Sequence, residues 1–170
     1  MVDVEDPGAA EPALGPALDF LRELWRLNHA LERLSARMER ELGITAQQRL
    51  ILRCLSHGPT LSAGGLAKLM HVDPGTVSAA LRRLEAKGLV RRERPAEDRR
   101  RVVVTLSARG RALARPAEGT VEHAVARLIE SLSVAESDAT RRALTRLTML
   151  MDRERAPKAR ASTSRQLRKA

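Results

Sequence analysis

Between residues 13 and 42 apolar side chains return every three or four positions. Phe20, Leu24, Leu27, Leu31, Leu34 and Met38 form one row, and Leu14, Leu18, Leu21 and Trp25 form a second beside it. That period is helical, and a helix with two apolar rows must bury both, so the pattern predicts one long helix with partners on two sides. Gly43 follows at the place a left-handed cap favours. A second helix is predicted from Thr45, with Gln48 as its capping-box partner and Leu50, Ile51, Cys54 and Leu55 as its apolar side, up to His57-Gly58-Pro59. A third, short helix is expected over about 62–70, with Leu66, Leu69 and Met70 inward and weakened by Gly64-Gly65. The fourth has the strongest start: Asp73 as N-cap and Pro74 at the first helical position. It continues through Val77, Leu81 and Leu84 to Lys87-Gly88.

The period then shortens. Leu89-Val90 and the run 102–106 are strand-like, and RRERPAEDRRR lies between them with six arginines and three acids, as the loop side of a β-hairpin. Helix is expected again from Ser107 to about Ser131 through Leu113, Ala117, Val121, Val125, Leu128 and Leu132, with Pro116 kinking it or delaying its regular part. Ser133 and Glu136 form another capping box, opening a last helix whose face includes Leu144, Leu147, Leu150 and Met151. The final residues lack periodicity and are expected to be disordered.

Three helices, a strand, a hairpin loop and a strand, flanked by long helices, spell a mainly α chain: a winged helix-turn-helix in a helical frame. A single Phe, a single Trp and no Tyr argue against a β-sandwich core or an aromatic base-stacking platform. The lone cysteine, Cys54, excludes an intramolecular disulfide and a cysteine-based zinc site. His29, His57, His71 and His123 are scattered without metal-ligand spacing, so no metal and no cofactor is expected. No apolar run approaches a bilayer span, and the acidic N-terminus lacks signal-peptide character, so a cytoplasmic location is expected and no membrane partner.

Net charge is +10, and its distribution is informative: −5 over residues 1–19, +6 over 153–170, and therefore +9 on the middle of the chain. Such a charge attracts polyanions, although 27 of the 31 bases are Arg, which a GC-rich genome alone would produce. On this architecture the fourth helix enters the major groove, presenting Pro74, Gly75, Thr76 and Ser78, small enough for close approach. Arg82 follows within reach of a phosphate or a guanine edge. The charged hairpin tip then meets the DNA backbone, with an arginine entering the minor groove.

GITAQQRLILRCL, then LAKLMHVDPGTVSAALRRLEAKGLVRRERPAEDRRRVVVTLSARGRAL, resembles the MarR family of bacterial transcription regulators, closely over about 43–113. The resemblance implies homodimers joined through N- and C-terminal helices, each subunit offering a winged helix to double-stranded, pseudo-palindromic DNA. It divides the chain into an acidic flexible N-terminus (1–12), a dimerisation helix (13–42), the DNA-binding region (43–106), C-terminal dimerisation helices (107–153) and a basic disordered tail (154–170). It implies that Arg100 enters the minor groove with Arg99 beside it, while Asp98 orients one of them. Position 79, often basic in the family, is Ala79, which leaves Arg82 to compensate. Trp25 and His29 lie where the family often has its effector pocket; core packing is the competing role for Trp25. The implied function is a regulator of the repressing kind, released by a small effector.

Other classes leave different marks. No Gly-rich phosphate loop, paired carboxylates or nucleophile motif points to an enzyme. A winged helix used as a protein-interaction module, or a non-specific DNA-binding protein, are the alternatives. Small residues at the start of the fourth helix weigh against the first, since a protein-binding face is more often apolar. Cys54 reads as inert core, because a redox sensor wants an exposed thiol of lowered pKa.

Overall fold

Helix α1 spans Pro16–Leu42 and stops where Gly43 takes a φ of 73° and returns its amide to Glu39, the left-handed cap the sequence predicts. Helix α2 (Ala46–His57) opens with both arms of the capping box made: Thr45 Oγ1 accepts from the Gln48 amide at 3.2 Å, and Gln48 Oε1 accepts from the Thr45 amide at 3.3 Å. Helix α3 (Ala63–Met70) is capped by Ser62, which accepts from the Gly65 amide at 3.1 Å, so its two glycines follow a well-formed cap. Helix α4 covers Pro74–Ala86, and strands β1 (Val90–Glu93) and β2 (Val103–Leu106) pair antiparallel with Val90 opposite Leu106 and Glu93 opposite Val103. Helices α5 (Ala108–Leu113), α6 (Val121–Ser131) and α7 (Val134–Arg155) follow. This computed structural model describes residues 14–58, 61–94 and 102–155, and the chain divides after Ala124 into two compact units.

The core of the first unit joins α2, α3, α4 and the hairpin: Ile44, Ile51, Leu52, Leu66, Val77, Leu81, Leu84, Leu89, Val90 and Val104 are buried together. Each such side chain contributes about 1.5–3 kcal/mol relative to exposure, enough to hold a small sheet that two strands alone would not sustain. A third strand position is supplied by Leu61, whose carbonyl accepts from the Val104 amide at 2.9 Å.

Three expectations are corrected. Leu50 and Leu69, assigned inward, are about half exposed; Leu52 and Ala67 take the buried positions, because α2 and α3 turn a slightly different face to α4. The helix expected over 107–131 is two helices separated by residues 114–120, where Pro116 lacks an amide and Gly119 adopts a φ of 70°. Arg91, Arg92 and Glu93 belong to β1 and not to the loop, because the register with Val103–Thr105 extends the ladder through them. The two apolar rows of α1 are open in the single chain: Leu18, Phe20, Leu21, Trp25, Leu27 and Leu31 are exposed and only Met38 is buried in this helix.

In the second unit α7 begins as predicted, with the Ser133 amide and hydroxyl both donating to Glu136 Oε2 at 2.8 and 2.7 Å. Its Leu144, Met149, Leu150 and Met151 are exposed, as are Val125, Leu128 and Ile129 at the end of α6. Among the described residues no helix is long and apolar enough to cross a membrane.

Candidate nucleic-acid interface

Helix α4 is built to show one face. Val77, Ala80, Leu81 and Leu84 recur at helical spacing and are buried against the core, which leaves the opposite side outward. At its start Asp73 Oδ1 accepts from the Gly75 amide at 2.7 Å and the Thr76 amide at 3.4 Å. The first-turn amides are thus occupied by a carboxylate, so the helix start presents side chains and not bare N–H groups to a partner. Pro74, Gly75 and Thr76 are exposed, and Ser78 and Ala79 are half-buried. Gly75 has its own reason to be small, since a Cβ there would come within 2.8 Å of Asp73 Oδ1.

Gly75, Ser78, Ala79 and Arg82 follow one helical row, and Arg82 is exposed at its end. The neighbouring row, Thr76, Ala79 and Arg83, also ends on an exposed arginine. Arg83 was not among the sequence candidates. The i, i+7 spacing from Thr76 is the sequence signal that marks it.

The turn into α4 depends on His71, which sits in the left-handed region at φ 52° and donates its amide to Ala67 and Lys68. From the far end, Lys87 Nζ donates to the Gly43 carbonyl at 2.6 Å, and Arg92 pairs with Glu85 at 3.2 Å, which ties the wing strand to the same helix. Arg92 is therefore a strut between wing and helix, whereas Arg91 and Arg94 are exposed without such a role being evident. Asp98, Arg99 and Arg100 lie outside the described residues; the ladder that brackets them ends at Glu93 and Val103.

Trp25 and His29 lie one turn apart on α1, both exposed, with His29 Nδ1 3.5 Å from Glu32 Oε2. Cys54 is half-buried at the end of α2, beside a groove lined by His57, Leu61, Lys68 and Leu69, and burial pushes its thiol above the usual value. Among the described residues no three His, Cys, Asp or Glu side chains gather as a metal site.

A model of the MarR family matches residues 44–102, the segment from the start of α2 through α4 to the edge of β2. The HTH-type transcriptional repressor Rv2887 of Mycobacterium tuberculosis is 39% identical over 106 residues, which span 62% of this chain and 76% of that protein. The chain belongs to the MarR family. The crystal structure of the Mycobacterium tuberculosis MarR family protein Rv2887 superposes with a TM-score of 0.52 at 33% identity, covering 81% of this chain and 99% of the other. The S. aureus MepR–DNA complex gives a TM-score of 0.62 at 27% identity, over 75% of this chain and 96% of MepR. As a member of the MarR family the chain is a winged helix-turn-helix transcription regulator.

Proposed function

We propose that this MarR-family chain binds pseudo-palindromic double-stranded DNA as a homodimer and represses transcription until a small effector releases it. The observation that carries the reading is α4 itself: a carboxylate-capped helix, buried on one side, whose other side runs from Gly75, Thr76 and Ser78 to Arg82 and Arg83. Small residues first and guanidiniums a turn later suit a helix that enters the major groove and grips its phosphate rim. The relative MepR has been solved with DNA, and Rv2887 bears the name of a repressor, which supports the same role here.

Arg99 and Arg100, which follow β1 and precede β2 in the sequence, would serve the minor groove, with Asp98 orienting one of them; these three assignments rest on the family resemblance. The homodimer is supported by exposed apolar residues on α1 and, in the second unit, on α6 and α7, more than a monomer leaves open. Two recognition helices about 34–36 Å apart would then meet successive major grooves. Trp25 and His29 are the candidate effector contacts. The regulator carries no catalytic role in this reading and works in the cytoplasm.

Fluorescence anisotropy tests it, with the duplex flanking the protein's own gene and a scrambled duplex titrated across salt. Preference for the native duplex by a factor of at least about 10³, with a steep salt slope for both, is expected. Equal affinity for the two would remove sequence-specific readout, and absence of binding at low salt would overturn the DNA role.

A further inference from the structure

Glu85 is the single acidic residue of α4, exposed just beyond Arg82 and Arg83. A carboxylate on such a helix opposes the approach of any polyanion, so its place there needs a reason. Arg82 stands three residues before it, yet Glu85 pairs away from its own helix: Oε2 lies 3.2 Å from Nε of Arg92 on β1.

Arg92 arrives there by the register of the hairpin. It stands opposite Val104 and two residues after Val90, both buried in the core, so the alternation of the strand puts its stem on the covered face of the sheet. A charged side chain on that face extends along the core until its head meets water, and this head emerges beside α4. There the pair is open to solvent, with side-chain exposures of 37% for Arg92 and 42% for Glu85. An ion pair so exposed adds little to stability.

Nor is the pair needed to hold strand to helix. The Leu89 amide donates to the Leu84 carbonyl and the Gly88 amide to the Glu85 carbonyl, both at 2.9 Å, while Leu84, Leu89 and Val90 are buried together. What the pair governs is the guanidinium itself. Glu85 stands beside Nε, which leaves the Nη edge of the same planar fork for a second anion.

We infer that Glu85 is a positioning residue for DNA binding: by holding Arg92 between α4 and β1, it presents the Nη edge of that guanidinium to a backbone phosphate. The inference rests on the proposed DNA binding by α4 and the wing. Glu85 touches no DNA in this scheme and acts through Arg92. A free arginine loses rotamer freedom when it binds, and one already held loses less. The benefit is the same for every sequence, because phosphates carry no base identity.

The test measures binding of the full chain to the native and the scrambled duplex across salt, for wild type, Arg92→Ala, Glu85→Ala and Glu85→Gln. Arg92→Ala should weaken binding to both duplexes about tenfold and lower the salt slope by about one. Glu85→Ala should bind both about fivefold more weakly than wild type, the size expected when one long side chain must be ordered on binding. That loss runs against simple electrostatics, which predicts tighter binding once a negative charge is removed. Glu85→Gln, which keeps an oxygen beside Nε, should recover most of it. In the Arg92→Ala background, Glu85→Ala should cost nothing further, since the two residues act as one unit. Thermal midpoints and the exchange of α4 amides should match wild type throughout. Glu85→Ala binding as tightly as wild type, or more tightly, overturns the inference, and so does an Arg92→Ala variant with unchanged affinity and salt slope. Loss of α4 protection in Glu85→Ala overturns it too, as the mark of a purely structural role. Failure of wild type to bind either duplex at low salt overturns the DNA reading itself.

Discussion

Gly110 lies directly against the carbonyl oxygen of Leu89, so close that a β-carbon at position 110 would lie far inside van der Waals contact with it. The same carbonyl accepts from the Ser107 amide at 3.0 Å, and Ser107 Oγ donates to the neighbouring Gly88 carbonyl at 2.7 Å. The start of α5 is therefore stapled to the turn between α4 and the wing. Gly110→Ala should destabilise the fold by at least about 2 kcal/mol, despite a gain of about 1 kcal/mol in helix propensity. A lower urea midpoint at unchanged slope checks this.

His71 holds the turn between α3 and α4 in a backbone region that glycine occupies freely and β-branched residues resist. His71→Val should lower the midpoint, because a β-branched side chain tolerates this region less well than histidine, whereas His71→Gly should not lower it. Thermal unfolding of the two variants decides it: equal losses would mean that the imidazole, and not the backbone, holds the turn.

Asp73 accepts from two first-turn amides of α4. Replacing it with Ala should cost about 1 kcal/mol, while Asn, which keeps the acceptor, should cost only a fraction of that. Amide exchange at Gly75 and Thr76 reports the loss locally, and should rise in the Ala variant alone.

Glu136 titrates below the ordinary carboxyl value of 4.5, first because the Ser133 hydroxyl bonds its carboxylate and then because the Ser133 amide does. A lowered native value means that the cap's contribution is complete above about pH 4.5 and is lost as pH falls through the native value. An NMR titration of the Glu136 side chain should show the value moving up in Ser133→Ala. An unchanged value would remove the hydroxyl as the cause.

Burial raises the Cys54 thiol above its ordinary 9.0, so the neutral form prevails at physiological pH. Native protein at pH 7.5 should react with Ellman's reagent more slowly than free cysteine, and urea should abolish the difference. Because the native value is raised, stability relative to Cys54→Ser should hold below pH 9.0 and decline as pH rises beyond it. Fast reaction in the native state would instead mean that burial does not protect this thiol.

The features legible along the chain are local. The starts of α2, α4 and α7 follow from Thr45 with Gln48, Asp73 with Pro74, and Ser133 with Glu136, each a bond or ring closure spanning three residues or fewer. The stop at Gly43 and the order of helices and strands follow in the same way, and that order sufficed to recognise the winged helix. The remaining features arise only once distant segments meet. Arg49 looks like any solvated arginine on a helix until three acceptors 64 to 73 residues away close around it. Gly110 looks like a weak point in α5 until Leu89 is brought against it, and Arg92 looks like diffuse charge until Glu85 meets it. Leu50 and Leu69 fit the helical period yet face outward, because the period marks an apolar side and only packing chooses which of its edges is covered. Caps and turns are decided by bonds between near neighbours, which a sequence displays; burial, close approach and ion pairing are decided by groups that folding alone brings together.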